Sequence, residues 1–107
     1  MKESVRNFVN KLESSNFTNN NQRVLYQLLT ELKSGNGWIV NDRFDVKSAG
    51  SRIRDLRKYQ FGGFDILCRS AKKLGATGYG QTYYYKLAQR NLTIGKLKVI
   101  FGNILYV

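Results

Sequence analysis

At 107 residues the chain has room for one domain with a modest core and not for two. One Cys and no His leave ordinary zinc sites without ligands and exclude an internal disulfide. A net charge of +11 says nothing of fold but favours polyanionic partners, either nucleic acid or an anionic membrane surface.

The opening residues MKESVRNFVNKLE are polar and helix-like, unlike a signal peptide. No apolar run approaches the roughly 18 residues of a membrane span. The expectation is a reduced, cytoplasmic protein with no membrane partner, with Cys68 as a small buried residue in the apolar run FDILC. Charge is uneven along the chain. Residues 1–65 hold 11 basic and 7 acidic groups, whereas residues 66–107 hold 7 basic and none acidic.

Val5, Phe8, Val9 and Leu12 fall at i, i+3, i+4 and i+7 and predict a first helix over 3–13. The run SSNFTNNN that follows reads as a linker, because Ser and Asn bond their own backbone and favour turns. A linker there would leave the first helix loosely docked or held by a partner. A second helix is expected from about Gln22 to Lys33, with Val24, Leu25, Leu28, Leu29 and Leu32 as its apolar stripe. SGNG at 34–37 ends it, and Trp38-Ile39-Val40 is a short β-prone run. Asn41 or Asp42 is placed to cap a very short helix through Phe44.

Ser48 then reads as the N-cap of a helix over 49–59. At 100° per residue Ala49, Ile53 and Leu56 share one face. Lys47, Ser51, Arg54 and Lys58 lie nearly opposite, with Arg52 and Arg57 on the flanks. Gly50 costs such a helix up to about 1 kcal/mol, which close approach of another backbone would explain. Gly62-Gly63 closes the unit. Phe64, Ile66 and Cys68 alternate with Asp65, Leu67 and Arg69 as in a strand. Residues 70–80 read as a basic, glycine-rich loop, and Gln81 to Leu87 as a second strand with Tyr83, Tyr85 and Leu87 on one face. In the tail, Leu97, Val99 and Phe101 alternate with lysines, and Gly102-Asn103 suits a type II′ turn, so a hairpin is expected. A short helix is the alternative, disfavoured by Gly95 and Gly102. The tail is apolar enough to be buried against the domain or in a homodimer. The single domain therefore comprises an N-terminal helix (1–15), a core (22–87) and an apolar tail (91–107).

The run QRVLYQLLTEL…GWIVNDRFDV…SAGSRIRDLRKYQFGGFDI…YYYKL resembles the small helix-turn-helix proteins of bacteriophages and prophages. The pattern is carried by Gln22 and Arg23, Trp38 and Ile39, Arg52 to Arg57, Gly62 or Gly63 with Ile66, and Tyr85 with Leu87. The segment between Ile39 and Ser48 is shorter than the family pattern, and residues 1–15 and 91–107 fall outside it. The resemblance implies an α+β winged helix-turn-helix fold, here with an added N-terminal helix and a hairpin-like tail, and binding of double-stranded DNA in phage regulation.

The candidate DNA-binding residues follow from that arrangement. Lys47, Ser48 and Ser51 stand where a helix N-terminus meets phosphates or base edges. Arg54 and Lys58 would enter the groove, while Arg52 and Arg57 either join them or bridge to Asp55 or another acid. Arg69, Lys72 and Lys73 would serve a wing beside the groove. Tyr79 would either touch the sugar-phosphate backbone or anchor a strand.

Other motifs are weaker. GATGYG lacks the strand–loop–helix setting and the following Lys-Ser/Thr of a P-loop. Tyr83-Tyr84-Tyr85 suits an aromatic platform for single strands, but alternation turns at least one face to the core. Asp42 and Asp45 have no base or third ligand to make a metal-dependent nuclease. No enzyme activity, metal or cofactor is expected. Two further readings stay open: a phage-encoded inhibitor of a host machine, such as an anti-CRISPR protein acting on a host protein target, and an RNA-binding accessory protein.

Overall fold

Asn19 opens the longest helix from an extended backbone, its side-chain oxygen accepting the Gln22 N–H at 2.9 Å. The structure, a computed structural model, describes residues 1–72 and 81–104, with Ala71, Lys72 and Gln81 described through their backbone. Helix α1 spans Glu3–Leu12, and α2 spans Asn20–Ser34. Strand β1 (Trp38–Val40) leads through a 3-10 turn at Asn41–Arg43 to α3 (Ala49–Leu56). A second 3-10 turn at Tyr59–Phe61 precedes β2 (Ile66–Lys72) and β3 (Gln81–Leu87), and α4 (Ile94–Phe101) follows. The protein is thus α+β, with four helices and a three-stranded antiparallel sheet among the described residues.

The sheet order is β1-β3-β2. Ile39 pairs with Tyr85, which pairs in turn with Cys68, and Leu87 pairs with Ile66. Paired residues point to the same side, so Ile39, Ile66 and Leu87 form an inner face, and all three are buried. The apolar stripe of α2 lies over this face, and α3 packs on α2 through Ala49, Ile53 and Leu56. The turn after α3 uses two glycines with left-handed backbone, Gly62 at φ 101° and Gly63 at φ 59°. Their N–H groups and that of Phe64 return to carbonyls of Tyr59, Lys58 and Leu56. This reversal ends α3 at Leu56, earlier than the expected residue 59.

Three sequence expectations are corrected. The tail is a helix, not a hairpin. Thr93 caps α4 by accepting the Lys96 N–H, and Leu97, Ile100 and Phe101 are buried at i, i+3 and i+4. Val99, needed on the core side of a strand, is 56% exposed. Gly95 and Gly102 fall in the first turn and at the C-cap, outside the middle of the helix.

The first helix is not loosely held. Val5, Phe8, Val9 and Leu12 are buried in the same core cluster as α2 and α4. Phe17, from the presumed linker, stacks at 4.9 Å from Tyr26 and 5.9 Å from Phe101, and Phe8 lies 6.4 Å from Phe101. Gln22 locks this junction. Fully buried, it accepts from the N–H and hydroxyl of Thr18, and its amide donates to the Ile100 carbonyl at 2.9 Å and to Asn103 Oδ1 at 2.7 Å.

Cys68 is exposed rather than buried. The hairpin of β2 and β3 outruns the core. The rung Ile66–Leu87 is buried, but Tyr85 beside Cys68 is only half-buried and Tyr83 beside Ser70 is exposed.

Candidate nucleic-acid interface

With Ala49, Ile53 and Leu56 turned inward, α3 presents Gly50 and Arg54 to solvent, with Lys47 and Ser48 exposed before it and Arg57 and Lys58 after it. Ser51, Arg52 and Asp55 are half-buried at its sides. Ser48 sits at the N-cap position, but its side chain makes no capping bond, contrary to expectation. A capping oxygen works from extended backbone, as at Asn19. Ser48 instead enters from the left-handed region at φ 60°, ψ 40°, and only its carbonyl engages the helix, accepting from Ser51 at 3.0 Å.

The basic side chains around α3 are not equivalent. Asp55 is shared by Arg52 at 3.3 Å and Lys58 at 3.6 Å, which spends much of their charge within the protein. Arg57 donates from Nε at 3.2 Å and Nη2 at 2.6 Å to the carbonyl of Ile66. The neighbouring Asp65 carbonyl accepts from Ala88 next to β3, so by alternation Ile66 points its carbonyl to the open edge of β2. Arg57 therefore ties α3 to that edge instead of to an acid.

Arg54 and Lys47 have no acidic partner within ion-pair distance among the described residues. Lys47 shares its cleft with Asp42 and Asp45. Those carboxylates make the rim at Lys47 the less favourable end for an anion and leave Arg54 the central cation of the helix. Tyr85 faces this side from β3. Burial raises its phenol above the usual tyrosine range, the neighbouring Cys68 and Tyr83 add to the rise, and Arg57 and Arg54 pull it down. Tyr85 Oη also lies 3.8 Å from where a Cβ on Gly50 would stand, so the phenol sits close to α3.

The remaining expected residues are dispersed. Arg69 lies on the opposite face of the sheet from α3, with its guanidinium 4.8 Å from the Trp38 ring and 5.7 Å from the Tyr84 ring. Lys72 is the last residue of β2, its backbone paired with Gln81, so it belongs to a strand and not to the loop. Lys73 and Tyr79, with the GATGYG motif, lie outside the described residues. Among the described residues no group of three or more potential ligands could hold a metal ion, Asp42 and Asp45 included, and no helix is long and apolar enough to cross a membrane.

Two features escaped the sequence reading. Tyr59, the first residue of the 3-10 turn that follows α3, is 94% exposed. Its position beside Lys58 and before a double glycine was the available signal. The other is the cluster of Trp38, Arg69, Tyr84 and Lys86, which only the strand register brings together. Comparison with protein-family models, curated proteins and solved structures finds no match to this chain.

Proposed function

We propose that this chain is a winged helix-turn-helix protein that binds double-stranded DNA and acts by occupying its site, in the setting of phage or prophage regulation. Helix α3 enters the major groove, and the β2–β3 hairpin lies alongside as the wing. Arg54 reads a base edge or grips the flanking phosphate. Ser51 and Lys47 flank it, Tyr59 contacts the backbone beyond the helix, and Arg52, Arg57 and Lys58 hold the helix in position.

The observation that carries this reading is Arg54, exposed on α3 with no acidic partner among the described residues, while Arg52 and Lys58 share Asp55 and Arg57 is bound to the Ile66 carbonyl. The element order supports it. A helix, a short strand, a second helix and an antiparallel strand pair, with sheet order β1-β3-β2, follow the order of a winged helix, with the first helix of its helix-turn-helix reduced here to the 3-10 turn at Asn41–Arg43.

Fluorescence anisotropy against a panel of duplexes tests the proposal. With about 3 to 5 phosphates neutralised, log K falls against log salt with a slope of roughly −3 to −4.5. Arg54→Ala costs about 1–3 kcal/mol at a preferred site if the guanidinium reads a base. A salt-independent signal, or no duplex binding at low salt, removes the DNA reading.

A further inference from the structure

The sheet face turned away from the helices carries a different chemistry. Trp38 and Lys86 are paired across β1 and β3, and Lys86 is paired in turn with Leu67 of β2. One rung along, Val40 pairs with Tyr84 and Tyr84 with Arg69. These six side chains therefore share one face. Leu67 is 42% exposed, Arg69 is exposed, and both rings are half-buried.

The two cations are held against the rings. Arg69 lies over Trp38 and Tyr84, and Lys86 Nζ lies 5.8 Å from the Trp38 ring. The stem of Lys86 also runs beside Gly37, where an added Cβ would come within 2.9 Å of it. Gly37 itself has φ 88°, so this approach is built into the turn before β1. The acid just before β2, Asp65, is already bridged to Arg90 at 3.0 Å. What remains is a partly exposed aromatic surface with two cations and no carboxylate among its six residues.

We infer that this outer sheet face is a second nucleic-acid site, one that takes single-stranded rather than duplex strands. Bases stack on the accessible parts of the Trp38 and Tyr84 rings beside the Arg69 guanidinium, as in sequence-tolerant single-strand sites. Arg69 and Lys86 meet the phosphates between those bases. A duplex has its bases stacked inside and offers this face only its phosphates, so it lacks the contacts that the rings supply. A protein partner of acidic character would use the cations but not the stacking geometry. The inference stands on residues other than those of α3, and Arg54 lies on the other side of the sheet.

Trp38 is the only tryptophan in the chain, so its emission reports on this face alone. A thymidine-only single-stranded oligomer is titrated into the full chain, with Trp38 emission and anisotropy of the labelled oligomer read together. The expected result is saturable quenching that tracks binding, is unchanged by Arg54→Ala, and weakens about tenfold in Arg69→Ala and in Tyr84→Leu. Thermal melting confirms that each variant is folded, and Arg69→Ala, an exposed position, keeps the test valid if Tyr84→Leu is not. An abasic oligomer of equal length should bind at least tenfold more weakly. The inference is overturned if the oligomer fails to bind, or binds without altering Trp38 emission. It is equally overturned if the abasic strand or a duplex quenches as well as the thymidine strand, or if Arg69→Ala binds like the native chain. Failure of duplex binding in the Arg54 experiment leaves this outcome untouched.

Discussion

The two ends of the molecule treat polar groups in opposite ways. At the helical end, where α1 and α4 meet the start of α2, Gln22 is buried with both its donor and its acceptor satisfied by groups up to 81 residues away. Lys33 reaches Asn10 and Glu13, so even a surface cation there is answered by the chain itself. At the other end Arg54 has no acidic partner among the described residues, Tyr59 projects into solvent, and Arg69 and Lys86 rest on aromatic rings. The first end spends its side chains on cohesion. The second keeps charge and aromatic surface for a partner, because a cation already paired within the protein loses much of its pull on an anion.

Phe101→Ala is the strongest way to probe the first end. Phe101 is fully buried and meets both Phe8 and Phe17, so its truncation is expected to cost about 3–5 kcal/mol. Chemical denaturation followed by far-ultraviolet circular dichroism measures this. One cooperative transition at lower denaturant means that both ends depend on the helical junction. Two transitions would mean that α3 and the sheet fold without it, and the contrast becomes one between separate units.

Gln22→Leu is next. It fills a similar volume but strips the amide from the Ile100 carbonyl and Asn103, and the acceptor from Thr18. A loss of about 2–3 kcal/mol is expected from the unsatisfied groups. A neutral outcome would show that water reaches the junction and that the helical end is less closed than its burial indicates.

Arg54 of α3 and Arg57 at its C-cap should respond differently to truncation. Arg57→Ala removes the bond to the Ile66 carbonyl and should cost about 1–2 kcal/mol of stability. Arg54→Ala should change stability by less than about 0.5 kcal/mol, as at other surface positions without partners. Equal stability losses in thermal melts would remove the distinction between a structural and a ligand-facing arginine.

The regular elements were legible because their signals are local. The stripes Val5/Phe8/Val9/Leu12 and Ala49/Ile53/Leu56 carry their own period, and both are buried as that period requires. The tail was misread because Leu97-Lys98-Val99-Ile100-Phe101 contains both periods. Leu97, Val99 and Phe101 alternate, while Leu97, Ile100 and Phe101 follow a helical turn. The choice between them is made by the Thr93 cap and by Phe8 and Phe17, aromatic partners far upstream in the sequence. Cys68 was misplaced for a related reason, since alternation fixes the face of a strand but not where the strand leaves the core. In the candidate site, the i±3 spacing of Arg52 and Lys58 about Asp55 was visible in the sequence. The acceptor of Arg57 was not, because a backbone carbonyl has no letter. The outer face of Trp38, Arg69 and Tyr84 needs the β1-β3-β2 order before it exists at all.

Gly50→Ala has the smallest expected effect and the most informative sign. Gly50 is exposed in the first turn of α3, and a Cβ built there meets only Tyr85 Oη at 3.8 Å, an ordinary contact. Nothing among the described residues requires a glycine at this point, and its backbone is not left-handed. Alanine should therefore stabilise the fold by about 0.5–1 kcal/mol through its better helix propensity. If the α3 face meets a nucleic-acid backbone at close range, the added methyl group stands in the way, and duplex affinity falls while the melting temperature rises. Opposite movement of the two readings assigns the glycine to the partner and keeps α3 as the binding face. A rise in stability with unchanged duplex affinity would place the contact elsewhere on the helix and shift weight toward Arg54 and Tyr59.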